Sequence, residues 1–335
     1  MKIKDIAQRA GVSTATVSNV INGNHHKVSQ ATVEKVRRII EEHGYQPSAT
    51  ARSLASKESR IIGVVIPNLG EEEDYNRNPY ISELIALLER YVRKQGYYLM
   101  IRSVRECREI VPVFSGWNVD GVILLGVFHH EVEEIEKLLK VPTIYADTYA
   151  KDLNIANVGV DDYKGGYLMA RYLLDKGHRK IAFVGPNVED LGVIQERYRG
   201  FCAALGEQGI TLSPEDIFEA RTVCEDGVAA GKRIAHSGKG FTAVAAMSDS
   251  LAMGLMAGLR VSGWNVPEDI SLIGFDNLQL CQFTNPPLTS ISQSVETKVD
   301  LVGEHLFRMI REKQKIAMNV VLDVELIERQ TVKQI

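Results

Sequence analysis

The sequence predicts an all-α helix-turn-helix head joined to a larger α/β body of two lobes, each built on a doubly wound parallel sheet. Three observations predict it. Short helical patterns interrupted by Gly and Ser occupy the head, residues 1–46. From Ile61 onward, apolar strands alternate with helical patterns, the signature of parallel βα units. The charge is also split unevenly. Residues 1–60 hold 10 Lys/Arg against 5 Asp/Glu, whereas the whole chain of 335 residues carries a net charge of −4. A basic head on an acidic body suits a head that alone meets a polyanion.

In the head, Ile3, Ile6, Ala7 and Ala10 fall at helical spacing, and Gly11 interrupts them. Ser13 is a good N-cap for a second helix, whose apolar side is Val17, Val20 and Ile21. Asn22-Gly23-Asn24 ends it, because Gly and Asn tolerate the left-handed conformation. Ser29 caps a third helix with Val33, Val36, Ile39 and Ile40 inside, running to His43-Gly44. Three short helices with a tight turn between the first two make the helix-turn-helix plan. The outer side of the second helix shows Thr14, Ala15, Thr16, Ser18, Asn19 and Asn22. These short hydroxyl, amide and methyl groups suit a helix pressed against base edges in a major groove.

The stretch "PSATARSLASKES", residues 47–59, is small, polar and rich in Ala and Ser, yet contains a lone Leu54. About nine residues of Pro-started, Ala-rich chain are too short for a helix that is stable alone in water. A supporting surface is therefore required if it is to be helical.

In the body, "RIIGVVIP", "YYLMIRSV", "DGVILLG" and "PTIYAD" read as strands, with helices at Tyr80–Lys94, before "DGVILLG", and at Val132–Leu139. The pattern restarts at "NVGVDDYKGGYLMARYLLDKGHRKIAFVGP" and continues through "FTAVAAMSDSLAMGLMAGLR" to "DISLIGFDN". A last helix is expected at Val295–Arg311. Three crossovers are expected, near Asp147–Asp161, Leu288–Ser294 and Met318–Val324. The first lobe then takes residues 60–160 and 292–320, and the second 161–291 and 321–335. Ligands of open α/β sheets lie beyond the carboxyl ends of strands. Asn68, Asp147, Ser248, Asp249 and Asp276 stand there, with Arg197 opening "RYRGF" on the helix after "VGP". Such polar side chains in a cleft suit a small polar molecule such as a sugar. Asp249 is expected to cap the helix that follows it.

"IKDIAQRAGVSTATVSNVINGN" and "VSQATVEKVRRIIEEHGYQPSATARSLAS" resemble the DNA-binding head of the lactose-repressor (LacI/GalR) family of bacterial transcription regulators. "DDYKGGYLMARYLLDKGHRKIAFVG", "RYRGF" and "VPEDISLIGFDN" extend the resemblance to that family's periplasmic-binding-protein-like core. The resemblance implies a repressor that grips a pseudo-palindromic operator as a homodimer, under the control of a small-molecule effector, expected to be a sugar. It implies bases and phosphates read by Thr14, Ala15, Ser18 and Asn19. Thr16, Asn22 and Ser29 are added to that set from the head's own pattern. The linker becomes a hinge helix whose Leu54 wedges between base pairs in the minor groove, a recognised means of bending DNA, with Arg52 at the phosphates. Effector contacts are expected at Asn68, Tyr80, Asp147, Arg197, Thr222, Ser248 and Asp276. Two departures from the family pattern stand out: the acidic run Glu71–Arg77 before Tyr80, and a shortened segment Val104–Trp117.

Other chemistries find little support. "GVAAGKR" and "HSGKGF" lack the spacing of a phosphate loop. The adjacent histidines of "FHHEVEE" point to different sides of a helix, so no metal is expected there. Cys107, Cys202, Cys224 and Cys281 form no C-x-x-C pair and read as reduced thiols. No nucleophile–base pair, cofactor, signal peptide or membrane span is expected, so a cytoplasmic, nucleoid-associated regulator is the reading. The chain ends at "IERQTVKQI" without leucine heptads, which favours a dimer over a tetramer. The alternatives are a regulator of the same family governed by a phosphorylated carrier protein, or a solute-binding protein or enzyme with an incidental basic head.

Overall fold

A computed structural model describes residues 1–21, 23–45, 58–67, 78–105, 109–149, 154–187 and 192–335. By contact density the chain divides into two units, Met1–Arg60 and Ile61–Ile335.

The first unit contains three helices, α1 (Ile3–Ala10), α2 (Thr14–Ile21) and α3 (Gln30–Glu42). Its core joins Ile6, Ala7 and Ala10 of α1 to Val17 and Val20 of α2 and Val33 and Val36 of α3, all buried. Gly11 closes α1 at φ +67°, a conformation that leaves its N–H free to bond the last carbonyls of the helix. The Ser13 hydroxyl accepts the Thr16 N–H at 3.1 Å, and the Ser29 hydroxyl caps α3 through the Thr32 N–H.

The second unit holds two six-stranded sheets. The first contains β1 (Ile61–Pro67), β2 (Tyr98–Val104), β3 (Gly121–Leu125), β4 (Thr143–Ala146), β5 (Ala156–Val160) and, from far along the chain, β11 (Met318–Leu322). Its spatial order is β11-β5-β4-β3-β1-β2, all pairs parallel. Alternate side chains serve opposite faces. Ile123, Leu125, Ile144 and Ala146 pack with α4 (Pro79–Lys94) and α11 (Val295–Glu312). Val122, Leu124 and Tyr145 face α5 (Ile110–Trp117) and α6 (His129–Leu138). Among the described residues of the segment Val104–Trp117, the helix is the eight-residue α5.

The second sheet is ordered β12-β10-β9-β8-β6-β7. It comprises β6 (Ile181–Gly185), β7 (Ile217–Glu219), β8 (Ala243–Ala246), β9 (Ser271–Asp276), β10 (Thr289–Ser292) and β12 (Glu325–Ile327). It is parallel except at one edge, where β12 runs antiparallel to β10. The expectation of a wholly parallel sheet is thus corrected at its last strand. β10 leaves this lobe at Ser292, and β12 enters it two residues after β11 with Glu325 opposite Ser292, so it runs back antiparallel to β10. One face of this sheet packs on α7 (Asp162–Asp175) and α8 (Val193–Gly206), the other on α9 (Cys224–Ala235) and α10 (Asp249–Val261).

The chain passes between the sheets three times, at β5 to α7, β10 to α11 and β11 to β12. The Asp161 N–H donates to the Leu322 carbonyl at 3.0 Å, tying two of these passages together.

Helices α7 and α8 approach through glycine. A Cβ on Gly200 would stand 1.9 Å from the Tyr163 carbonyl oxygen, and one on Gly166 would stand 1.8 Å from that of Arg197. A Gly200→Ala substitution therefore forces the helices apart. It should cost the body near the upper end of the roughly 1–3 kcal/mol typical of overpacking, read by urea unfolding. An unchanged midpoint would mean that the contact is not tight.

Candidate functional site

In the head, α2 buries Val17 and Val20 and turns its other side outward. Thr14 and Ala15 are exposed, and Thr16, Ser18 and Asn19 are half-buried. The Thr16 hydroxyl pairs with that of Ser13 at 3.0 Å, and the Ser29 hydroxyl caps α3, so both carry a structural duty. Asn22, Arg52 and Leu54 lie outside the described residues, as do most of the hinge and the Glu71–Arg77 run.

In the body, the candidate residues meet where the lobes join. Asp147, at the end of β4, and Tyr80, in the first turn of α4, share a hydrogen bond of 2.8 Å. Both contact Lys298 of α11, which sequence reasoning missed. Its Nζ lies 2.6 and 2.9 Å from the Asp147 oxygens and donates to the Tyr80 phenol and to Gln293 Oε1. Lys298 is 0% exposed. The signal was available, because it sits on the apolar stripe Val295–Val299–Val302–Leu306, where a lysine has no packing reason to be.

The network continues into the second lobe. The Gln293 amide also donates to Asp276, so one side chain at a crossover links the two lobes. Arg197 Nη1 stands 4.0 Å from Asp276. The Arg197 Nε donates to Asp162 at 2.7 Å, its Nη1 donates to the Met247 carbonyl, and its guanidinium lies 3.5 Å above the Phe275 ring. Tyr149 returns to the first lobe by donating to the other oxygen of Asp162 at 2.6 Å. Burial raises the Asp162 carboxyl above its ordinary range, although Arg197 and Tyr149 pull against it. Two donors, one on each oxygen, call for the ionised carboxylate. Burial also opposes the charge on Arg197, but Asp162 and Asp276 outweigh it and raise its pKa.

Two backbone outliers coincide with the chemistry. Asp147 has φ +59° and Asp276 φ +114°, conformations that L-residues adopt at a cost of about 1–3 kcal/mol each unless held by their surroundings. Here the bonds to Lys298 and Gln293 supply that hold.

Three expectations fare differently. Asn68 lies outside the described residues. Thr222 is half-buried just before α9 and takes no part in the network. Ser248 is buried at the end of β8, with its hydroxyl capping α10 through the Leu251 N–H. That corrects the role expected of Asp249, which does not cap its helix. Its carboxylate instead accepts from the Leu278 N–H, the Cys281 thiol and the Ser290 hydroxyl. Cys281 is thereby held, by burial and the adjacent carboxylate, far above the ordinary thiol range and is unreactive.

Comparison with known proteins agrees with this architecture. Residues 2–48 match the bacterial regulatory proteins of the lacI family, and residues 170–332 match a periplasmic binding protein-like domain. The chain belongs to the LacI family and is a DNA-binding transcriptional repressor, not an enzyme. It is 35% identical to the HTH-type transcriptional repressor PurR of Vibrio vulnificus, over 99% of each chain. It is 32% identical to the ribose operon repressor of Haemophilus influenzae, over 98% of each. Among solved structures it is similar to the lac repressor dimer bound to operator and the anti-inducer ONPF, with 25% identity, TM-score 0.86 and 99% of each chain covered. A LacI family regulator from Enterococcus faecium with bound ribose superimposes with TM-score 0.71 at 27% identity, over 82% of this chain and 99% of that one. Among the described residues, no helix is long and apolar enough to cross a membrane, and no metal-binding cluster is found.

Lys298→Met should destabilise the body by about 3–5 kcal/mol, because it strands the Asp147 charge in the interior. Adding Asp147→Asn should recover much of that loss in urea unfolding. Additive losses would show that the two groups are not coupled.

The pH dependence follows from Asp276 and Asp249, which burial pushes up to about 8 and about 6. Between the ordinary carboxylate range and those values the folded chain holds protons that the unfolded chain has released. Stability should therefore fall as pH rises from about 5 to 8. Asp276→Asn should flatten the upper part of that slope, measured by urea unfolding at a series of pH values.

Proposed function

We propose that the chain binds a pseudo-palindromic operator as a homodimer and that a small polar effector, a sugar or close derivative, controls it from the cleft between the lobes. The observation that carries this reading is the buried, alternately charged chain from Tyr80 to Tyr149. Asp276 and Arg197 stand at its centre with hydrogen-bonding groups on both lobes. A polyol that hydrogen-bonds both groups would take over bonds that now hold the lobes together. It would act through its differential affinity for two lobe arrangements. The Haemophilus influenzae relative named for the ribose operon, and the related structure that holds ribose, support a sugar.

Operator reading is assigned to Thr14, Ala15, Thr16, Ser18, Asn19, Asn22 and Ser29, with Leu54 in the minor groove and Arg52 at the phosphates. The exposed, short and polar side of α2 supports this. Effector contact is assigned to Asn68, Tyr80, Asp147, Arg197, Thr222, Ser248 and Asp276. Exposed apolar side chains on both lobes suit a second copy as partner. Tyr98 and Trp117 are 66% and 61% exposed on the first lobe, and Leu280 and Phe283 are 53% and 72% exposed on the second. A repressor working on operator DNA belongs in the cytoplasm, on the nucleoid.

Gel shifts on symmetric operators, with a thermal-shift panel of ribose, other sugars, sugar phosphates and purines, test the whole reading. A true effector raises the melting temperature by ligand linkage. Arg197→Ala should lose that shift, a weakening of more than tenfold for about 1.5–3 kcal/mol of charge-assisted bonding, and still bind operator. Leu54→Ala should do the reverse. If Leu54→Ala destabilises the body and spares the operator, Leu54 is a docking residue and the hinge assignment fails.

A further inference from the structure

Helix α2 carries no charge. Its eight residues, TATVSNVI, hold neither Lys nor Arg, Asp nor Glu. Guanine is most often read by Arg or Lys, whose donors meet its two major-groove acceptors, and cytosine by the acceptors of Glu or Asp. Both pairings are closed to this helix.

Its outward groups are few. At about 100° per residue, Ala15 stands roughly 170° around the helix from the midline of the buried pair Val17 and Val20, and Asn19 roughly 130°. Ala15 is exposed and presents a methyl. The Thr16 hydroxyl is taken by Ser13, and Ser18 is engaged elsewhere. Asn19 is half-buried, and its backbone carbonyl accepts the Asn24 N–H at 2.9 Å. Among the described residues its side-chain amide has no hydrogen bond, so both its acceptor and its donor remain open.

An amide sets an acceptor and a donor side by side. Adenine presents the complement in the major groove, the N7 acceptor beside the N6 donor. Guanine presents two acceptors there and would set one of them against the amide oxygen. A methyl finds its apolar counterpart on C5 of thymine. Ala15 and Asn19 are four residues apart on the same side of the helix, about 6 Å along its axis. Successive bases rise about 3.4 Å, so a helix lying along the groove sets the two contacts about two steps apart.

We infer that α2 selects A·T pairs in each half-site: Asn19 takes an adenine through its amide, and Ala15 meets a thymine methyl about two steps away. This rests on the assignment of α2 to operator reading and adds to it the base that each residue selects.

The test is selection of bound duplexes from randomised DNA by the full chain at one salt concentration, followed by anisotropy titration of the selected operator. Wild type should select an A·T pair in each half-site whose preference disappears in Asn19→Ala. Changing that pair to G·C should weaken wild type about ten- to a hundred-fold and leave Asn19→Ala indifferent. Asn19→Arg should move the preference at that position from adenine to guanine. The slope of log affinity against log salt should be the same in Asn19→Ala, since no phosphate contact is lost. A slope smaller by about one would make Asn19 a backbone contact and overturn its role. Deoxyuridine, replacing each thymidine of the half-site in turn, removes a methyl and keeps every hydrogen bond. One such replacement should weaken wild type about threefold or more, as loss of one buried methyl does, and make no difference to Ala15→Gly. Each ratio is taken on one protein, so a loss of helix stability in a variant cancels. Guanine selected opposite Asn19, or an adenine preference that survives Asn19→Ala, would overturn the inference. Equal binding of every deoxyuridine duplex by wild type would overturn the Ala15 contact. A wild-type chain that selects no half-site sequence, or a selected sequence untouched by both variants, would overturn the operator assignment of α2 itself.

Discussion

The body is organised around a constraint of charge. Three chain passages bring two sheets together, and the junction they create is filled with ionisable groups rather than hydrocarbon. A single unpaired charge there would cost several kcal/mol, so each must find its opposite or hold a proton. Lys298 answers Asp147 and Arg197 answers Asp162, while Asp276, left between Arg197 and Gln293, keeps one oxygen free to hold a proton. Apolar packing alone would weld the lobes into one rigid block. Exchangeable polar bonds allow another set of hydrogen-bonding groups to replace them with little net loss. A junction of this kind is fitted to a ligand-controlled angle.

The same reasoning explains why Gln293 occupies a crossover. An amide has both an acceptor and donors, so it can accept from Lys298 with one end and donate to Asp276 with the other. A carboxylate there would repel Asp276, and a lysine would repel Lys298. The residue that couples the lobes must therefore be neutral and two-faced, and glutamine has the length to reach both.

Much of the fold was legible because it rests on periodicity. Strand alternation, helical stripes and the caps at Ser13 and Ser29 are local properties, and so is the helix-turn-helix plan. β12 resisted, since its direction is fixed by the two-residue link from β11 and not by its own three residues. The site was only half legible. Asp147, Arg197 and Asp276 could be placed from strand ends and family motifs, and Tyr80 from the family alone. Lys298, Gln293, Asp162 and Tyr149 could not, because their partners are remote in sequence: the Lys298–Tyr80 contact spans 218 residues. Ser248 and Asp249 show the converse limit. Adjacent cap-forming residues are interchangeable in sequence logic, and only the surroundings of β9 and β10 decide that serine caps and aspartate reaches inward.

The balance of charge also restricts what can act in the cleft. Each carboxylate of the buried polar network, Asp147, Asp162 and Asp276, already has a donor, and both of its cations already have acceptors. An incoming anion would compete with Asp147 for Lys298 or with Asp162 for Arg197, and would leave a buried carboxylate unpaired. An incoming cation would face the opposite problem at Arg197. A neutral molecule with several hydroxyls can accept from Arg197 and donate to Asp276 without stranding either, because each hydroxyl does both. For the proposed effector, the buried ion pairs would filter ligand charge before ligand shape.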